Sequence, residues 1–247
     1  MTLQEFSLEF DILYNNVTSN SAPPLDEYEK SVFLTMAQLE IVKELYSGRN
    51  QLGLAVETNE EVRQYLKSLI KENSEIPTLE NNEDFSTYYR YKISKDRSSY
   101  IAILREWIEV AQSQSDVVPA TNLYSQIPVL PVTQDNILQL VNNPFKGITK
   151  KRALRTEIDG NVYIYFQPPN KGTAYTFRWT YLDMPTPIIL TQLPNVVDAT
   201  GNYLLKIEGV DVTTEGKECG LPTVLHRDIL KRAVQLAKQT YVGQTQE

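Results

Sequence analysis

Two side chains in this sequence, His226 and Cys219, are each the single member of a residue type that ordinarily serves as general base, nucleophile or metal ligand at neutral pH. A catalytic or pH-switching role for His226 would need a partner group. The sequence instead places it in the apolar arc of a helical segment, in its first turn, with no second histidine or cysteine pattern to complete a metal site. It reads as a helix-packing or interface histidine. Cys219 stands in KECGLP, a loop beside Gly220, and a thiol nucleophile needs an adjacent base that this stretch lacks. The carboxylates Asp26, Glu27 and Glu29 have the spacing of a helix start, where they suit the helix dipole, and not that of an acid–base pair. The 10 glycines are dispersed, so no phosphate-cradling loop is present. The expectation is a protein with no catalytic residues, no metal site and no cofactor, and not an enzyme.

One cluster has binding chemistry. Lys146, Lys150, Lys151, Arg152 and Arg155 form a basic run without an intervening acid. On a loop entering a hairpin, such bases can grip phosphates or an acidic protein surface. Three readings stay open: a solvated loop, docking to an acidic partner, and direct contact with DNA.

A second candidate surface lies in Pro23–Tyr46. At 3.6 residues per turn, Tyr28, Val32, Met36, Leu39, Val42 and Tyr46 share one broad face. Phe33, Leu34, Ala37, Ile41 and Leu45 cover much of the opposite one. A surface helix normally shows a single apolar stripe. This helix is therefore either central in its own fold or lends one face to another chain. Tyr28, Val32, Phe33, Ala37, Ile41 and Leu45 are the candidate oligomer interface.

The elements that must position these groups follow from periodicity and punctuation. Leu3–Val17 reads as a first helix and 15–24 as a loop. Asp26 is placed to cap the second helix and Gly48 to close it. Thr58 and Glu61 form the pattern of a capping box for a third helix carrying Val62, Leu66, Leu69 and Ile70. Aromatic and β-branched residues then take over in Phe85–Ile93 and Tyr100–Val110, the latter fitting a short helix nearly as well. Ile127–Val132 is extended, and Thr133 starts a short helix to Val141. Ala153–Phe166 carries the strongest strand signal, two alternating runs joined by Asp159-Gly160, a pair that tolerates positive φ at both central positions. Ala174–Leu182, Pro187–Leu190 and Tyr203–Ile207 supply further strands. Thr223 caps a last helix reaching about Tyr241.

This order implies an α+β fold: a helical core from the N-terminal helices and the C-terminal helix, with a β-rich, sandwich- or barrel-like insertion. The expected divisions are 1–75 (helical), 76–218 (β-rich) and 219–247 (helix returning to the core). The 247 residues allow one large or two modest domains, and mean hydropathy of −0.35 describes a soluble globular chain. No apolar run approaches a membrane span. The acidic N-terminus lacks signal-peptide features, and a lone cysteine fits a reducing compartment, so assembly in a cytoplasm is expected. The net charge is −7; residues 1–100 hold 17 acids and 10 bases, while residues 101–247 hold 14 of each. That distribution argues against wrapping nucleic acid but suits a wall past which DNA slides without sticking.

Three segments, APPLDEYEKSVFLTMAQLEIVKELY (Ala22–Tyr46), PVTQDNILQLVNNPFKGITKKRALR (Pro131–Arg155) and LPTVLHRDILKRAVQLAKQTY (Leu221–Tyr241), resemble a virion structural protein of crAss-like bacteriophages of gut Bacteroidales. The resemblance implies a ring in the neck, a head–tail connector below the portal. Its expected partners are the portal and other neck or tail rings, with DNA passing through its channel without sequence-specific binding. If the ring follows portal symmetry, it would hold about twelve copies. Two further classes stay open: a cytoplasmic adaptor or binding module with a β-sandwich insert, which would also lack catalytic residues, and a nucleic-acid enzyme subunit or DNA-packaging factor, which would need salt-sensitive DNA binding through Lys150–Arg155.

Overall fold

The computed structural model describes residues 1–15, 24–49, 59–79, 89–93, 100–111, 124–141, 143–167, 175–191, 205–212 and 215–243. They form two compact units, one made of Met1–Leu69 together with Met184–Glu247 and the other of Ile70–Asp183.

The first unit is built on three helices, α1 (Leu3–Asn15), α2 (Glu27–Ser47) and α5 (Thr223–Gly243), with the short α3 (Glu60–Tyr65). Both ends of α2 behave as expected. Asp26 Oδ1 accepts from the Glu29 N–H at 2.7 Å while Glu29 Oε2 accepts from the Asp26 N–H at 3.1 Å, and Gly48 closes the helix at φ 73°. The two apolar sides of α2 have two different intrachain uses. One packs with α1 and α5, where Phe6, Phe10, Leu34, Ala37, Ile229, Ala233 and Ala237 are buried. The other meets residues 188–190 and 205–212: Tyr28 and Val32 rest on Ile189, Ile207 and Val212. Polar ties fix this second contact. Leu190 N–H donates to Ser31 Oγ at 3.0 Å, and Thr35 Oγ1 exchanges hydrogen bonds with the Ile188 backbone. The helix is central in its own fold.

The second unit is an eight-stranded sheet in the order β1-β8-β4-β5-β6-β7-β3-β2. Its strands are β1 (Ile70–Glu75), β2 (Thr78–Leu79), β3 (Tyr89–Ile93), β4 (Tyr100–Ala111), β5 (Tyr124–Pro131), β6 (Ala153–Ile158), β7 (Asn161–Phe166) and β8 (Tyr175–Asp183). Four strands separate β8 from β3, which would hold them roughly 24 Å apart in a flat sheet. Yet the Tyr91 ring on β3 lies 5.1 Å from that of Tyr175 on β8, and Phe166 on β7 lies 5.0 Å from the same ring. The sheet is therefore rolled around a single core that includes Ile108, Val129, Ile164, Phe177 and Trp179. This is the barrel-like form of the expected insertion. Asp159 (φ 50°) and Gly160 (φ 74°) make the tight β6–β7 turn as their types require.

One pair, β5 with β6, is parallel. A parallel pair needs a connection that returns over the sheet. Here that connection is α4 (Gln134–Val141), which packs Ile137 against Leu154 and Tyr165 on the outer face, followed by the basic loop.

Several expectations need correction. The third helix stops at Tyr65 and is capped by Asn59, whose Oδ1 accepts from Glu61 N–H at 2.8 Å; Thr58 lies outside the described residues. Leu66 and Leu69 are buried from turns, and Ile70 opens β1 because its backbone pairs with β8. Strand β1, with the sequence IKENSE, has no apolar alternation and is anchored by ion pairs instead, Glu72 with Arg178 at 3.0 Å and Lys71 with Asp183. Tyr100–Val110 is a strand, with irregular register near Ala102 and Arg105. Pro187–Leu190 makes one bridge, Ile189 to Lys217, and not a strand. Of Tyr203–Ile207, Tyr203 and Leu204 lie outside the described residues, and Lys206–Ile207 forms β9, paired with β10 (Val210–Asp211); both belong to the helical unit.

Candidate assembly interface

The reactive residues are structural. His226 is buried, with Nε2 2.9 Å from the Leu221 carbonyl, Nδ1 2.9 Å from the Met1 amino group and its ring 5.3 Å from that of Phe6. Nε2 ties the ring to the chain entering α5, while Nδ1 and the Phe6 contact tie it to the residues at the start of α1. Cys219 is partly buried, and burial pushes its thiol above the ordinary value despite the opposing pull of the Leu221 backbone and the amino terminus. A thiol held protonated is a poor nucleophile. Asp26 and Glu29 are occupied in capping, and Glu27 reaches Lys30. Among the described residues, no group of three or more His, Cys, Asp or Glu side chains is arranged to hold a metal, and no helix is long and apolar enough to cross a membrane.

The α2 candidates are largely consumed inside the chain. Ala37, Ile41 and Leu45 are buried, while Phe33 is half-buried and Tyr28 and Val32 are half-buried against Ile189, Ile207 and Val212. The same helix holds a buried charge. Lys30 Nζ lies 2.8 Å from Asp11, 3.0 Å from Glu27 and 3.4 Å from Ser7 Oγ. Burial disfavours the ammonium, but the two carboxylates outweigh it and hold its pKa above the ordinary lysine value.

The basic run divides into two parts. Arg155 leaves the surface: it lies across from Ile164 on the core side of β6, and its Nε donates to Glu106 Oε2 at 2.8 Å. The two side chains are 13% and 4% exposed, so the pair spans the inside of the rolled sheet. Lys146, Lys150 and Lys151 are exposed, and Arg152 is half-buried. Their loop is tightly specified. Asn143 Oδ1 accepts from the N–H groups of Phe145 (2.9 Å) and Lys146 (3.0 Å), and Arg152 Nη1 donates to the Phe145 carbonyl at 2.8 Å. Thr149 and Arg152 exchange backbone bonds around a two-residue tip, Lys150–Lys151. Gly147 is buried where a Cβ would stand 2.4 Å from the Asn143 carbonyl and 2.6 Å from that of Leu140, so no larger residue fits without movement.

The periodicity reading passed over the exposed apolar groups. Phe145 is 86% exposed at the start of this loop, and Leu138 on α4 is 76% exposed. In the helical unit, Leu8 and Ile12 on α1 are 64% and 58% exposed. The signal was present: Leu3, Phe6, Phe10 and Tyr14 already complete the buried stripe of α1, leaving Leu8 and Ile12 as a second, i,i+4 pair.

The comparisons with known proteins concern the whole chain. The family described as phage tail ring protein 3/4 matches residues 1–247. The chain is 35% identical over 241 residues to ring protein 3 of Bacteroides phage crAss001, covering 96% of this chain and 95% of that protein. It is 31% identical over 258 aligned positions to ring protein 4/5 of the same phage, covering 100% of this chain and 96% of the relative. The resemblance carried by the three sequence segments is thereby borne out, and the chain belongs to the phage tail ring protein 3/4 family of crAss-like phages.

Proposed function

We propose that this chain is a non-catalytic subunit of a closed ring in the head–tail connector of a tailed phage, joining portal to tail and surrounding the DNA channel. The observation that carries the reading is the match of the complete chain to a family of tail ring proteins. The surface chemistry supports it. A cyclic ring built from heterologous contacts needs two different patches on each subunit, and exposed apolar side chains occur on both units, Leu8 and Ile12 on one, Leu138 and Phe145 on the other. The helical unit has 18 acids against 11 bases and accounts for the full −7, whereas the sheet unit has 13 of each. An acidic bore repels the phosphate backbone and lets DNA slide without adhering.

In this reading the copies number about twelve, matching the usual symmetry of a portal. The neighbours are the portal and other rings of the neck or tail, and the subunit is made in the host cytoplasm and carried in the virion. Lys146, Lys150, Lys151 and Arg152 contact a partner, and Arg155 supports the sheet beneath them. The half-buried Tyr28, Val32 and Phe33 are left to add area at the rim of subunit contacts.

The test is electron microscopy and native mass spectrometry of the purified protein over a wide concentration range, with cryo-EM of phage particles to locate it. Closed rings of one copy number, present also in the neck of the particle, are expected. A protein that stays monomeric at high concentration and is absent from the connector would overturn the reading in favour of a soluble adaptor.

A further inference from the structure

Two exposed features complement each other in both hydrophobicity and charge. The first is the outer face of α1. Leu8 and Ile12 stand one turn apart on it, and at 100° per residue Glu5 and Glu9 flank them on one side. The helix contains three acids and no base. The second is the loop after α4, where an exposed Phe145 is followed by Lys146, Lys150 and Lys151 with no acid among them. Phe145 does not dangle. Asn143 holds its N–H and Arg152 its carbonyl, while Gly147 lets the chain turn where a side chain would collide. A large apolar side chain displayed in water on a prearranged backbone loses little freedom on docking. An aromatic anchor within a charged rim is also the usual composition of a binding hot spot.

Resting on the ring reading above, we infer that the Phe145–Lys151 tip of one copy docks on the Leu8–Ile12 face of α1 in the next copy. Phe145 supplies the apolar contact, and Lys150 and Lys151 face the Glu5–Glu9 edge. The contact is heterologous, tip to helix, so each subunit uses one of each and the chain of contacts can close. The charge match sets which surfaces meet and speeds encounter.

The test uses two full-length variants. Gln4→Lys with Glu9→Lys sets a lysine on either side of the Leu8–Ile12 pair, changes the face from two acids to a net excess of one base, and spares Glu5, which caps α1 through Thr2. Lys150→Glu with Lys151→Glu makes the tip acidic. Each variant alone places an excess of like charge at every junction and should raise the concentration needed for assembly by about a hundredfold. Mixed in equal amounts, the two should assemble again, because a basic helix face then meets an acidic tip and an acidic helix face meets a basic one. The mixed rings would alternate and contain even numbers of copies. Phe145→Ser should weaken assembly with an unchanged thermal melt, which separates docking from folding. Wild-type protein that never assembles overturns the ring reading and the docking with it. Wild-type protein that assembles, while either charge variant also assembles alone or the mixture stays apart, overturns the docking only. Normal self-assembly of the acidic-tip variant with loss of duplex DNA binding overturns it in favour of a DNA contact.

Discussion

Replacing Arg155 with Met isolates the interaction that lines the inside of the rolled sheet. Arg155 Nε and Glu106 Oε2 are 2.8 Å apart, and neither side chain retains much access to water. With an effective dielectric of about 20, charges this close attract by about 6 kcal/mol. Desolvating both ions consumes most of that gain, so the intact pair contributes little net stability. Removing one partner is different. Arg155→Met leaves the Glu106 carboxylate beside Trp179, its register neighbour, without the guanidinium, at an expected cost of about 3–5 kcal/mol. For a chain of this size, that lowers the melting temperature by roughly 6–20 °C. Glu106→Gln should cost less, since the remaining guanidinium keeps more solvent access and has Glu157 at 3.8 Å. The double variant Glu106→Met with Arg155→Met should recover most of the loss. Urea titration and calorimetry of the four proteins give the coupling energy directly. Equal stability of Arg155→Met and wild type, or a double variant as unstable as the single, would refute this account of the pair and return Arg155 to the surface contacts.

Gly147→Ala should destabilise the protein by about 1–3 kcal/mol through overpacking against three carbonyls, and hydrogen exchange should show the Phe145 and Lys146 amides losing protection. An unchanged melt with full protection would show that the loop has room to spare. Lys30→Met should cost about 1–2 kcal/mol at neutral pH, less than a fully buried pair because Asp11 and Glu27 can rehydrate. The raised folded pKa of Lys30 means its contribution is complete below the unfolded value of 10.5 and is lost as pH rises through the folded value. The stability gap between wild type and Lys30→Met should therefore narrow only above about pH 10.5, and a gap that closes on acidification from neutral pH to pH 6 would contradict the assignment.

What could be read from the sequence depended on how local the cause was. The α2 caps, the Asp159-Gly160 turn and the arc of α5 rest on interactions within a few residues, and all appear in the fold. Strand β1 was illegible because IKENSE becomes a strand only through its pairing with β8, more than a hundred residues away. The double-sided character of α2 was visible, but what covers each side was not, since α5 and Ile189, Ile207 and Val212 arrive from far along the chain. The same limit governed the basic run. Spacing showed five bases together, yet strand register alone turned Arg155 inward to Glu106 while leaving its neighbours outside. Phe145 was missed because a single aromatic in a Pro-Gly turn has no periodicity to announce it.

The helical unit is split by the whole sheet unit, and α5 is made after it. A ribosome adding about 5–20 residues per second takes roughly 10–30 s to travel from the end of α3 to α5. Throughout that interval α1 and α2 lack the surface on which Ala37 and Leu34 close, while the strands of Ile70–Asp183 are already available to pair with one another. The packing of α1 and α2 is therefore completed only after α5 has been made.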